Sequence, residues 1–272
     1  LYGGWAALSS YRMYQHGQSL KRDIDSEQVT DPSVIYAKWA ELSKGNPSSV
    51  LLYGPRKVVK QKLIDAADHV IAASRGDTQP VYEKDWDRAR TWLADALIVE
   101  PDDAVRSRLR LCEGQIARIN GISHRDPKTL QNAVDDFNES ARLMPRSPDP
   151  WLGLARVYVY GLKDIDKASN AFQEAARRGY PLGPREKLYL ADGYTSRADM
   201  LFWDSGKMRG LPQERDQIQR AANDYKEALD LYQSIVPYPK AAAGVARVQT
   251  SLESVNFRLR EIDAGQASTV PH

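Results

Sequence analysis

Four stretches of this chain repeat one spacing of side-chain sizes. After Ala89 a large residue follows at Leu93, a small one at Ala96 and a proline at Pro101. Ala133, Phe137, Ser140 and Pro145 fall on the same steps, and Ala168, Phe172, Ala175 and Ala221, Tyr225, Ala228 share the first two steps. Steps of four and three place all three side chains on one face of a helix. A small residue lets a neighbouring helix come close, the large one fills the groove beside it, and the second small residue admits a further helix. The closing proline cannot continue the helix and marks the turn out of it. The rhythm therefore predicts helices stacked on helices. Period-2 alternation bounded by Asn-Gly or Asp-Gly turns, the signal of strands, is missing. Asp31-Pro32, Asp126-Pro127 and Asp149-Pro150 each predict a helix start, with an acceptor side chain at the cap and a proline where an N–H has no helical partner anyway. Gly183-Pro184 offers the same start in weaker form.

This pattern resembles the second helix of the tetratricopeptide repeat (TPR), a helix–turn–helix unit of about 34 residues. The first-helix signature is Trp-x2-Leu-Gly-x2-Tyr, and Trp151, Leu154, Ala155 and Tyr158 match it with Ala in place of Gly. Leu190, Ala191 and Tyr194 repeat the match, with Lys187 where Trp would stand. Gly161, Asp166, Lys167, Ala168, Phe172, Ala175, Ala176 and Gly179 also resemble the related Sel1-like repeat. The resemblance implies an all-α fold, a right-handed α-solenoid of antiparallel helix pairs. The anchors Ala89, Ala133, Ala168 and Ala221 lie 44, 35 and 53 residues apart, so the units carry irregular long helices or inserted loops around Arg118–Pro127 and Phe202–Glu214. Ser107 sits where a Trp would be expected. The expected organisation is an N-terminal arm over 1–30, a helical lead-in over 31–57, the repeats over 58–262 and a flexible tail over 263–272. Val58 to Ala73 reads as the first helix of the Ala89 unit. Lys240 to Ile262 reads as a closing helix with a partly polar face, as a solenoid end requires.

Chemistry is sparse. The 38 Lys+Arg against 36 Asp+Glu leave a charge of +2, which argues against a nucleic-acid partner. Phosphate-binding, zinc-protease, serine-hydrolase and dinucleotide motifs are all missing. No metal, cofactor or small-molecule substrate is expected, and no catalytic residue is assigned. Asp65 and His69 form a spaced pair without a third ligand, which reads as a helix-surface pair. Cys112 lies on an apolar stripe with Leu109 and Ile116 and reads as core. Arg56, Lys57, Lys60 and Lys62, and then Arg106, Arg108 and Arg110, are basic clusters that read as solvated faces, with a patch for an acidic partner as the alternative. Trp203, leading into the second insertion, is the best candidate for an exposed aromatic contact, although core packing is favoured there.

The resemblance also implies a concave groove lined by the first helices, which would hold a protein partner or peptide segment. Its residues would be Leu152, Arg156, Val159 and Tyr160 from one unit and Arg185, Leu188, Asp192 and Thr195 from the next, with Arg156 and Arg185 able to meet a carboxylate. The set differs from the Lys/Asn carboxylate clamp of chaperone-binding relatives. The chain opens with Tyr2, Trp5, Tyr11 and Tyr14, followed by Lys21 and Arg22. Aromatic residues followed by positive charge suit either the exit of a membrane helix through the headgroups or an arm packed on a partner. The expected function is a non-enzymatic interaction scaffold, associated with a membrane or a larger assembly rather than free in the cytoplasm. The alternative is the accessory part of a longer enzyme or receptor.

Overall fold

The computed structural model describes residues 2–76 and 79–267, with side chains for 9–76 and 79–265. Among the described residues the chain is 82% helical and has no strand. The helices are α1 (Tyr2–Asp25), α2 (Pro32–Leu42), α3 (Tyr53–Arg75), α4 (Glu83–Val99), α5 (Asp103–His124), α6 (Pro127–Leu143), α7 (Asp149–Arg156), α8 (Ile165–Arg177), α9 (Pro184–Ser205), α10 (Pro212–Gln233) and α11 (Ala241–Ala267). A π-helical segment, Val157–Leu162, continues α7. The expected tail beyond Ala267 lies outside the described residues.

Local chemistry sets the helix starts. The Asp31 carboxylate accepts from the N–H groups of Ser33 (2.8 Å) and Val34 (3.2 Å), with Pro32 opening α2. Asp126 accepts from Lys128 N–H at 3.0 Å ahead of α6, and Asp102 does the same for Ala104 and Val105 ahead of α5. Gly183 has no side chain to cap α9, so Glu186 reaches back to its N–H at 3.1 Å. Asp149 departs from expectation. Pro148 already has helical dihedrals, so Asp149 falls inside α7 and Ser147 Oγ, at 3.4 Å, accepts from its N–H instead. The extra residues of the irregular units are mostly extra helical turns, since α5, α9 and α10 each run 22 residues; between α9 and α10 a 3-10 turn, Gly206–Met208, and a short loop supply the rest.

Two compact units share the chain, residues 1–119 with 132–146, and residues 120–131 with 147–272. In the first unit, Ala89, Leu93 and Ala96 of α4 and Ala133, Phe137 and Ser140 of α6 are buried. Gly114 of α5 faces the Phe137 ring. Ser107 and Ser140 exchange hydrogen bonds, each hydroxyl donating to the other's carbonyl at 2.8 Å. One residue number rises as the other falls across these contacts, so α5 and α6 run antiparallel. Lys60 meets Asp102 (3.1 Å) and Asp68 meets Arg108 (2.7 Å), so α3 and α5 lie side by side and parallel. Residues 1–30 are not an arm throughout: Leu20 and Ile24 of α1 are buried with Ile35, Trp39 and Leu52.

The second unit follows the same arrangement. Ala168, Phe172 and Ala175 of α8 and Ala221, Tyr225 and Ala228 of α10 are buried. Tyr225 meets Asp199 and Tyr232 meets Asp192, so α9 and α10 are antiparallel. Glu214 meets Arg258 and Tyr232 faces Gly244, so α10 and α11 are antiparallel as well. Arg156 stacks on Tyr189, and Tyr160 bonds Asp192, which sets the α7 strand of helix and α9 side by side and parallel. Arg197 ties three helices. Its guanidinium forks onto both Asp224 oxygens (2.7 and 2.8 Å) and reaches Asp166 at 2.8 Å.

Candidate functional site

The eight residues expected in the groove divide into two groups. Leu152, Val159, Leu188 and Thr195 are buried, although Val159 also borders the cleft on α9; the Thr195 hydroxyl donates to Ala191 O of its own helix. Leu188 belongs to the core that α9 shares with α10 and α11, and Val159 lies in the π-helical segment after Arg156. Arg156, Tyr160, Arg185 and Asp192 keep polar atoms at half-buried positions. Arg156 lies 5.8 Å from the Tyr189 ring centroid, and burial, reinforced by the charge of Arg185, holds its guanidinium below its ordinary value. Arg185 donates to Glu186 at 3.0 Å. Both arginines are thus engaged inside the unit, in place of the expected outward carboxylate grip.

Tyr160 and Asp192 do share a cleft. It measures about 320 Å³ and is lined by Val159, Tyr160 and Lys163 beside the π segment, Asp192, Ser196 and Asp199 on α9, and Arg247 on α11. The α9 residues step by four and three, so they form one stripe along the helix. The Tyr160 hydroxyl donates to Asp192 Oδ2 at 3.0 Å and the Tyr232 hydroxyl to Oδ1 at 2.6 Å. Asp199 Oδ1 accepts from Tyr225 at 2.5 Å. Burial, with the adjacent carboxylates, pushes all three phenols well above their usual range. They therefore remain protonated donors, and the two carboxylates are held as fixed negative charges about 10 Å apart, two helical turns along α9. Lys163, a left-handed residue with φ +57° that ends the π segment, and Arg247 are both exposed. Among the described residues neither is ion-paired. The cleft thus offers two hydrogen-bonded carboxylates and two exposed cations.

Lys163, Ser196, Asp199 and Arg247 did not emerge from the sequence. Ser196 and Asp199 follow Asp192 by four and seven on a helix that outruns the repeat it resembles, which was the signal available. Arg247 lies on the closing helix, whose polar face reads as a cap.

Other candidates resolve into structural roles. Arg56 donates to the carbonyls of Pro47 and Ser49, Lys57 sits over the Tyr53 ring, and Lys60 bridges Glu100 and Asp102. Arg106 pairs with Asp103, Arg108 with Asp68, and Arg110 with Glu113 and Asp136. Asp65 accepts from Gln61 at 2.7 Å, and among the described residues no three His, Cys, Asp or Glu side chains cluster as metal ligands would. Cys112 is buried, which pushes its thiol far up and leaves it unreactive. Trp203 is 76% exposed, an outward aromatic where the sequence favoured core. At the N-terminus Tyr11 and Tyr14 are exposed, Lys21 pairs with Asp25 and Arg22 faces solvent. The side chains of Tyr2 and Trp5 lie outside those described. Among the described residues no helix is long and apolar enough to cross a membrane.

Compared with known proteins, the chain matches no family model and no curated protein.

Proposed function

We propose that this chain is a non-enzymatic interaction scaffold, a right-handed α-solenoid of TPR-like helix pairs whose second unit holds a segment of a partner protein. Its N-terminal helix attaches it to a membrane or a larger assembly. The observation that carries this reading is the cleft on α9, where Asp192 and Asp199 are fixed by tyrosine hydroxyls beside Lys163 and Arg247. A site whose charges are already oriented loses little ordering entropy when a ligand arrives. Its complement is a peptide carrying both signs of charge, because a purely acidic or purely basic peptide would meet repulsion from half of the site. The exposed Tyr11 and Tyr14 support the attachment.

A displayed random-peptide selection against the purified chain tests the cleft. The expected winners carry an acidic and a basic residue at fixed separation. Their affinity should fall about tenfold or more when Lys163 and Arg247 are both changed to glutamate. Selected peptides that bind the Lys163→Glu/Arg247→Glu variant as tightly as the parent would place binding elsewhere.

A further inference from the structure

α9 outlasts the helix that lies beside it. The contacts between the two parallel helices, Arg156 with Tyr189 and Tyr160 with Asp192, join residues 33 and 32 apart in number. The π segment ends at Leu162, Lys163 turns left-handed, and the chain leaves for α8 at Ile165. At the same offset Lys163 comes level with residue 195 or 196. α9 runs on to Ser205, about 13 Å further at 1.5 Å per residue. Asp192, Ser196, Asp199 and Trp203 follow at steps of four, three and four, within about 60° of one another around the axis. Asp192, beneath Tyr160, is half-buried, whereas Asp199, Met200 and Trp203, past the end of the neighbour, are exposed, Trp203 by 76%.

This bare face pairs a ring with a carboxylate. Trp203 stands four residues after Asp199, which makes them surface neighbours about 6 Å apart at Cβ. A long side chain on a helix leans over the turn before its own, so the indole leans toward Asp199. Asp199 Oδ1 accepts from Tyr225; among the described residues nothing bonds Oδ2, and no cation lies over the Trp203 ring. Arg197 of the same helix shows what such a pair can hold. Its guanidinium lies 5.6 Å from the Tyr194 ring centroid and forks onto both oxygens of Asp224 at 2.7 and 2.8 Å. A planar guanidinium does both at once, with its face on a ring and its edge on a carboxylate. A lysine ammonium is a compact point charge without that fork.

We infer that Asp199 and Trp203 seat one arginine of the partner segment, its guanidinium flat on the indole and its N–H edge on the carboxylate. This rests on the cleft reading of the proposed function and names the basic residue that the cleft takes. The acidic residue of the segment then meets Lys163 and Arg247. Lys163 is level with Ser196 and the seat is centred near residue 201, about 7–8 Å further along α9. Acid and arginine therefore stand about two or three residues apart in an extended segment. The phosphates of an anionic lipid surface would instead be repelled by the Asp199 carboxylate beside the ring.

Two displayed peptide libraries, one lacking lysine and one lacking arginine, are selected against the purified chain. The library with arginine should give the tighter binders, by about tenfold, with an acidic residue about two or three positions from the arginine. Trp203→Ala should weaken them about tenfold and Trp203→Phe should keep part of the affinity. Circular dichroism and the urea midpoint should not move, because the side chain is exposed. Replacing the peptide arginine by lysine should cost clearly less affinity on Trp203→Ala than on the parent, since both changes remove one shared contact. Binders that hold Trp203→Ala as tightly as the parent, yet fail on Lys163→Glu/Arg247→Glu, overturn the arginine seat and keep the cleft. Equal affinity for arginine and lysine peptides also overturns the seat. Binders indifferent to both sets of changes, or no binders from either library, remove the cleft reading as well. Flotation of the chain with phosphatidylserine vesicles, lost in Trp203→Ala, would make the bare face a lipid contact and overturn the inference.

Discussion

Gly114 gives the sharpest test of how the helices fit. On an open helix surface, Gly→Ala stabilises by up to about 1 kcal/mol through helix propensity. At Gly114 the added Cβ would lie 2.8 Å from Phe137 Cε1 and 2.9 Å from Cδ1. Carbon atoms in contact prefer about 3.5–4.0 Å, so the ring must retreat by about 0.7–1.2 Å. Phe137 has no exposure at all, and a close-packed interior offers it nowhere to go. Overpacking of this kind costs roughly 1–3 kcal/mol, which leaves a net loss of up to about 2 kcal/mol after the propensity gain. Gly54 supplies the contrast. Its added Cβ would meet only Lys21 Cδ, at 3.9 Å, so Gly54→Ala should be neutral to stabilising by up to about 1 kcal/mol. Urea denaturation of both variants reads the two signs as opposite shifts in midpoint at constant slope. Adding Phe137→Leu to Gly114→Ala should make the glycine replacement less costly than it is beside phenylalanine. If both glycine variants gain stability equally, Phe137 does not fill the space that Gly114 leaves.

Three further outcomes are expected. Ser107→Ala and Ser140→Ala should each cost about 1 kcal/mol, and the double variant less than their sum, since each leaves the other's partner group buried; a strictly additive double-mutant cycle would count against the exchange. Asp224→Asn should destabilise by about 1–3 kcal/mol, because it breaks the charged fork from Arg197, and Arg197→Lys should recover less than half of what Arg197→Ala loses. The buried Cys112 thiol is held far above its ordinary 9.0. The unfolded chain therefore ionises first, and the stability from keeping the thiol neutral is full below about pH 9.0 and declines above it. Alkaline denaturation of Cys112→Ala should show a shallower decline than the parent.

The interior of the second helices was legible because it depends only on period and side-chain size. All twelve positions of the small–large–small pattern, from Ala89 to Ala228, are buried. Helix starts were legible where the cap is local, as at Asp31 and Asp126. Of the eight groove candidates, four are buried and four half-buried. Counting from Trp151 assumed an α-helical turn throughout, whereas Val157–Leu162, which holds buried Val159, is π-helical. The basic clusters misled for another reason. Arg108 finds Asp68, and Lys60 finds Glu100 and Asp102, some 40 residues away, and no local pattern announces such partners. Arg247 joins the cleft only because α11 lies against α10 and brings that residue to α9.

Asp192 serves two masters. Tyrosines from two flanking helices fasten onto its two oxygens, so the anion at the bottom of the cleft is also a rivet in the architecture. Whatever ligand engages it will stiffen the surrounding helices and raise the temperature at which they melt. By the same coupling, a charge-removing change at Asp192, or at Asp199 with its bond from buried Tyr225, will confound recognition with folding, which makes exposed Lys163 and Arg247 the cleaner handles for dissecting one from the other.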